Sequence, residues 1–228
     1  MLWEVPFGNS GVLPSYDIAV DDKGRRVRLN GVIDRVDMAE KDGRRYIRVV
    51  DYKSSGKDLS MADLYCGTSL QLPVYMMVLD QERERSQARP AGIFYQSLKD
   101  VMVRDRSDIS DAKVKEKLKD EMALKGYIIG DGTSEKCYAE SKKARVISAP
   151  EYEVVQNHIE GKIKGIGRDI FCGRTEIRPY LYDRFSSCDF CPYGAVCGYE
   201  PELTGKEDRL PSMNDAVAKS LMREEKKE

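Results

Sequence analysis

The 228-residue sequence predicts an α/β protein, and three stretches predict it. Residues 26–37 and 45–53 alternate apolar and polar positions on either side of Lys41-Asp42-Gly43-Arg44. An Asp-Gly pair between two such runs is the strongest short-range signal for a β-hairpin. Residues 62–84 are apolar on most sides around Leu70, Leu72, Val74, Met76, Met77 and Leu79, the pattern of a buried helix. Residues 150–174 repeat Val154, Val155, Ile159, Ile163, Ile166 and Ile170 at steps of three and four, which predicts a second long helix.

Taken in order, the chain opens with Trp3-Glu4-Val5-Pro6-Phe7-Gly8, strand-like but with no preceding helix to pack on it, so a start inside something larger is expected. Residues 15–20 alternate weakly and predict a strand, closed by the turn Asp21-Asp22-Lys23-Gly24. Within the first long helix Pro73 predicts a start near Gln71 or a kink. Gln71 and Tyr75 are four residues apart and share one face; they either aim at a site or hydrogen-bond within the core. Residues 90–98 predict a short strand, with 101–103 continuing it as a hairpin. Residues 111–125 have helical spacing and alternating charge, with Ser110 or Asp111 as cap and Gly126 as stop. Residues 130–143 read as a loop. His158, the single histidine, is expected half-exposed on the second long helix. Past Pro201 the composition turns polar, and residues 223–228 predict a frayed end.

A chain of this length holds one domain, or a domain plus an appendage, with a substantial core. With 38 basic and 39 acidic residues its net charge is −1, so no global basic field announces nucleic acid. Local clusters (Lys23-Arg25-Arg26-Arg28, Lys41-Arg44-Arg45, Lys113-Lys115-Lys117-Lys119 and Lys142-Lys143-Arg145) read first as solvated faces. No apolar run reaches the ~18 residues of a membrane span and no leader is visible, so a cytoplasmic location is expected. In that compartment six cysteines suggest metal or clusters before disulfides.

The hairpin carries the first chemical signal. If Asp42 and Gly43 are the two central turn residues, Lys41 faces Arg44 and Asp34 faces Asp51, with Cβ atoms about 4.5–5.5 Å apart. Period-2 alternation puts Lys53 with Asp51 on the side of Ile47 and Val49, and Asp34 with Val32 and Val36; Asp37 and Tyr52 point the other way. Like charges facing each other destabilise a sheet. Two carboxylates and an ammonium on an apolar face therefore point to a hard cation held by oxygens, with a surface ion cluster as the alternative on these residues alone.

The second signal is Cys188-x-x-Cys191-x5-Cys197. Thiolates so spaced bind one metal or one iron–sulfur cluster, and a tetrahedral or cubane site needs four ligands. Cys66, Cys137 and Cys172 are the candidates for a fourth, none with telling spacing.

Together, Gly31-Val32-Ile33-Asp34-Arg35-Val36-Asp37, Val50-Asp51-Tyr52-Lys53-Ser54, Gln71-x-x-x-Tyr75 and the cysteine triplet resemble, in order, the RecB-type nuclease domains of the PD-(D/E)XK superfamily, above all those of helicase–nuclease subunits. The resemblance runs from Glu4 to Cys197. It implies a restriction-endonuclease-like mixed sheet flanked by helices, with a C-terminal cysteine-cluster segment. The corresponding division is an N-terminally truncated nuclease core at 1–183, an iron–sulfur half-site at 184–200 and a polar tail at 201–228. Asp34 and Asp51 would be Mg²⁺ (or Mn²⁺) ligands, and Lys53 would orient or activate the attacking water. Gln71 and Tyr75 would support the site or touch the DNA backbone. Cys188, Cys191 and Cys197 would be three ligands of a [4Fe–4S] cluster in the full-length parent. The implied activity is metal-dependent hydrolysis of DNA phosphodiesters, exonucleolytic at single-stranded ends during double-strand-break repair, beside a helicase–nuclease partner subunit. No G-x-x-x-x-G-K-[ST] sequence is present, so motor work would lie elsewhere.

Two departures stand out. The family places its first cluster cysteine upstream of the core, and none precedes Glu4; it also carries a histidine or acid on an upstream helix, for which only Glu4 is at hand. Both imply a fragment whose isolated activity is in question. The alternatives are a stand-alone RecB-like exonuclease of the CRISPR-adaptation type, and a nuclease fold kept as a DNA-binding scaffold, against which Asp34, Asp51 and Lys53 speak.

Overall fold

The computed structural model describes residues 1–98, 111–138, 144–182, 185–200, 203 and 208–225. Strand β1 (Leu2–Phe7) is followed by a small ribbon of β2 (Tyr16–Ala19) and β3 (Arg26–Leu29), then by β4 (Gly31–Lys41) and β5 (Arg44–Lys53). The last two form the expected hairpin. Asp42 and Gly43 take φ of 53° and 70°, the left-handed pair that a two-residue turn needs to follow the twist of its strands. The ladder keeps the expected register from Lys41↔Arg44 to Arg35↔Val50.

Helix α1 (Met61–Cys66) begins at Ser60, whose side chain accepts from the Asp63 N–H, and stops at Gly67 in the left-handed conformation. Helix α2 (Gln71–Gln81) follows, with Pro73 in its first turn, where a missing N–H costs nothing. The single helix expected over 62–84 is thus two, and the start near Gln71 is correct. Next come α3 (Arg83–Ser86), β6 (Ala88–Ser97), α4 (Asp111–Glu121), β7 (Lys125–Gly130), α5 (Ser134–Cys137), β8 (Arg145–Ser148) and α6 (Ala149–Phe171). A capping box between Ser148 and Glu151 starts α6. The chain closes with β9 (Tyr180–Tyr182), β10 (Phe185–Ser186), a 3₁₀ turn over Ser187–Phe190, α7 (Gly194–Cys197), β11 (Asp208–Arg209) and α8 (Asp215–Glu225).

Six strands form one mixed sheet in the order β1-β4-β5-β6-β7-β8. The β5–β6 and β7–β8 pairs are parallel and the other three antiparallel. This is the mixed, helix-flanked, restriction-endonuclease-like α/β architecture that the resemblance implies. Two of its strands run against expectation. Gly126, expected to stop a helix, lies inside β7, where a β-carbon would stand 2.2 Å from the Ile93 carbonyl oxygen; the close approach of β6 requires glycine. β8 falls in a stretch for which the sequence suggests no element, and within residues 130–143, expected to be a loop, α5 (Ser134–Cys137) forms. Residues 101–103, Ser110, Lys142 and Lys143 fall outside the described residues.

One sheet face, carrying Ile33, Val36, Ile47, Val49, Ile93 and Tyr127, shares its core with residues of α1, α2, α6 and α8. The other carries a smaller core of Tyr46, Val50, Ala91, Phe94, Ile128 and Tyr138. Residues 223–225, expected frayed, belong to α8, whose Ala218 and Met222 are buried in the main core. Asp215 at its start accepts from the Met61 N–H at 3.1 Å and the Tyr127 hydroxyl at 2.5 Å. Lys219 and Arg223 both reach Glu151 of α6. His158 is buried rather than half-exposed: its ring stacks on Tyr65, Nε2 meets the Tyr65 carbonyl oxygen at 2.9 Å, and Nδ1 meets Glu225 at 2.7 Å. Among the described residues no helix is long and apolar enough to cross a membrane.

Candidate active site

The sheet itself aligns the chemistry. Asp51 pairs with Tyr95 across β5–β6, and Tyr95 pairs with Lys125 across β6–β7. On the other side of Asp51 the β4–β5 ladder ends at Arg35↔Val50, one step short of the Asp34–Asp51 position. There the Asp34 carboxylate turns to accept the Tyr52 backbone N–H at 2.9 Å. Glu4 sits between the pairs Trp3↔Arg35 and Val5↔Ile33, opposite Asp34. One row of positions therefore crosses five strands: Glu4, Asp34, Asp51, Tyr95, Lys125.

Strand alternation breaks at this row. Glu4 has φ of 48°; Val5 and Phe7 face the helices while Trp3 stacks on Tyr52. Opposite it, Ile33 is fully buried and Val32 is 41% exposed, so the expected grouping of Asp34 with Val32 on the apolar face does not hold, whereas that with Val36 does. A kink in two paired strands is one way to re-aim a side chain at the end of a ladder.

Asp51 is 1% exposed. Lys53 Nζ stands 2.6 Å from its Oδ2, yet the angles do not make a hydrogen bond, and that buried oxygen has no hydrogen-bond partner. Burial pushes the Asp51 carboxyl above the usual carboxylate range; Lys53 opposes the rise most, the Asp34 charge adds to it, and Lys57 opposes it. The Lys53 ammonium donates to Gln71 Oε1 at 2.9 Å, and Gln71 Nε2 donates to the Tyr75 hydroxyl at 2.7 Å. These two contacts fix which way the Gln71 amide points. The i,i+4 spacing at the start of α2 makes the relay possible. Burial raises the Tyr75 hydroxyl; the Gln71 bond lowers it, and the charges of Asp51, Asp34 and Glu4 raise it. Asp34, Asp51, Lys53, Gln71 and Tyr75 are thus brought to one place.

The donor set fits a small hard cation. Asp51 offers a buried oxygen that has the Lys53 ammonium beside it but no hydrogen bond of good geometry, and Asp34 is near enough for its charge to act on Asp51. Among the described residues no three His, Cys, Asp or Glu form a group that could hold a metal ion. Mg²⁺ does not require one, because it binds through one or two carboxylates and keeps waters and phosphate oxygens for the rest.

On the opposite face Asp37 accepts from Arg35 at 2.8 and 2.7 Å and from Arg48 at 2.8 Å, and Arg35 also donates to the Tyr52 hydroxyl at 3.2 Å. This buried network, on the side alternation predicts for Asp37 and Tyr52, braces the hairpin behind the site.

The cysteines stand apart. Cys188 and Cys191 are exposed, Cys197 is half-buried, and all three thiols are free. Cys66 ends α1, Cys137 ends α5 and Cys172 follows α6.

Comparison with known proteins matches residues 2–198 to the family model described as the PD-(D/E)XK nuclease superfamily. Among curated proteins, the B-subunit of the ATP-dependent helicase/deoxyribonuclease of Caldanaerobacter subterraneus subsp. tengcongensis is 30% identical over 246 residues, which is 99% of this chain and 21% of that protein. The proteins of the same name from Thermoanaerobacter sp. strain X514 and Bacillus thuringiensis strain Al Hakam are each 30% identical, over 90% and 97% of this chain and 20% and 21% of their own lengths. The chain spans about a fifth of the length of these relatives.

Proposed function

The chain belongs to the PD-(D/E)XK nuclease superfamily, and from that membership we propose that it is a divalent-metal-dependent deoxyribonuclease domain of a helicase–nuclease subunit. Its substrate would be the phosphodiester backbone of single-stranded DNA ends in double-strand-break repair, with cutting from the end, and a second helicase–nuclease subunit would be its partner. The names of its relatives support the setting. One observation carries the chemistry: a buried, under-satisfied Asp51 is coupled through Lys53 and Gln71 to Tyr75, with Asp34 alongside.

Asp34 and Asp51 would hold the cation. When bound, such an ion lowers the pKa of its water and offsets charge gathering on the phosphate. Lys53, tethered between Asp51 and Gln71, keeps its ammonium at one spot and can donate a hydrogen bond that orients the incoming water or offsets charge on a phosphate oxygen. Gln71 orients Lys53 because its amide nitrogen is committed to Tyr75. The Tyr75 hydroxyl, accepting from Gln71, keeps its own proton for a phosphate oxygen or carboxylate. We further propose that Cys188, Cys191 and Cys197 are three ligands of an iron–sulfur cluster in the longer protein. Three thiolates within ten residues are the right donors, and a cubane needs a fourth.

The test is cleavage of a labelled single strand with and without Mg²⁺. Asp51→Ala and Lys53→Ala are each expected to lose at least about 100-fold in rate while keeping a cooperative melt. Wild-type rates in either variant would overturn the assignment.

A further inference from the structure

Two lysines that belong to no motif stand at the edge of this site. Lys57, half-buried in the turn after β5, places its ammonium 5.3 Å from the centre of the Tyr95 ring; Lys53 is the other cation over that ring, at 5.4 Å. Lys125, also half-buried, opens β7 directly beside Tyr95 in the sheet. Its Nζ lies 3.9 Å from where a β-carbon on Gly56 would be, so it borders the same turn as Lys57. Tyr127 and Ile129, which alternate with Lys125 along β7, lie in the helix-covered core, so Lys125 leaves the sheet on the side of Asp51.

Lys53 is tied to Asp51 and Gln71. Among the described residues neither Lys57 nor Lys125 makes an ion pair or a side-chain hydrogen bond. Half-buried ammonium groups are ordinarily compensated. Here, among the described residues, neither has an ion pair of its own, and three ammonium groups gather at one edge of the site with the Asp51 charge acting on Lys53 and Lys57. Like charges so gathered favour an anion beside them. The row across the sheet is polarised accordingly, with acids toward β1 and Lys125 at β7. Nucleic acid is a chain of evenly spaced phosphates; if one lies over the acids and their cation, its neighbour along the strand needs a cationic seat.

We propose that Lys57 and Lys125 form a second phosphate subsite, holding the DNA backbone phosphate adjacent to the one being cut. The inference rests on the nuclease reading for what occupies the first position, but its own test is binding. The probe is an oligo-dT strand, titrated against the chain over a range of salt with Ca²⁺ in place of Mg²⁺. Each phosphate contact to a single strand adds about 0.7 to the slope of log affinity against log salt. Lys57→Gln and Lys125→Gln are each expected to weaken binding and flatten the slope by about 0.7, and the double variant by about 1.4. Lys57→Arg is expected to restore it, and in steady state the loss falls more on KM than on kcat. A merely structural role would shift the melting temperature and leave the slope alone. A double variant with the wild-type slope, or a wild-type chain that binds oligo-dT without salt dependence, overturns the subsite. Variants that flatten the slope in a chain whose Asp51→Ala and Lys53→Ala forms cleave at the wild-type rate remove the nuclease reading and keep the subsite; a cleaving chain whose double variant keeps its slope does the reverse.

Discussion

At the scale of single residues, the site holds together because one carboxylate is placed where it does not want its charge. Asp51 is almost wholly buried, and burial outweighs the neighbouring Lys53 and lifts its pKa above the ordinary 3.8. Between 3.8 and that raised value the folded chain keeps a proton that the unfolded chain has released. Stability is therefore lost as pH rises through this window, and at neutral pH the ionised Asp51 is a standing cost. Asp51→Asn, melted at neutral pH with a chelator present, is expected to have a higher Tm than the wild type and to lose that advantage in acid. A lower Tm in the variant would mean that the pair with Lys53 outweighs burial. Asp37 shows the opposite balance. Burial alone would raise its pKa, but two arginines hold it below the ordinary range, so its stabilisation is present above 3.8 and is lost on acidification.

At the scale of elements, the first surprise is α8. Its composition is polar, with two buried positions, Ala218 and Met222, among eleven residues. Those two complete the main core, and Asp215 ties the helix to α1 and β7. Met222→Ala is expected to cost about 2–4 kcal/mol in urea unfolding, far above the ±0.5 kcal/mol of a surface substitution in a frayed tail. The hairpin is the reverse case, legible to the residue. Asp42-Gly43 specifies the turn, the turn specifies the register, and the register carries the ladder to Arg35↔Val50, one step short of Asp34 and Asp51. What the alternation could not show is the break at Glu4 and Ile33, because a kink is a property of two paired strands. β7 and β8 were hidden for a related reason. Lys125-Gly126-Tyr127 reads locally as a helix ending at glycine, and only contact with β6 makes that glycine a strand residue.

At the scale of the whole molecule, the cysteine triplet lies outside both hydrophobic cores. Its thiols are free and largely at the surface, and three donors leave a cubane one short. If a further residue supplies the missing ligand, Cys191→Ala, in protein purified without oxygen, is expected to lose most of the bound iron and its charge-transfer absorbance and to melt lower. Unchanged iron content would count against the cluster.

The sequence by itself determined the hairpin, its register and the start of α2 at Gln71, because each is written in neighbouring residues through period, turn chemistry and helical spacing. Only the tertiary structure decided that Lys57 and Lys125 share one edge with Lys53, that His158 is buried, and that a polar C-terminal segment closes the core. Those facts depend on which strands lie side by side, and strand order is set by the burial of whole faces against one another, a quantity no local stretch of sequence contains.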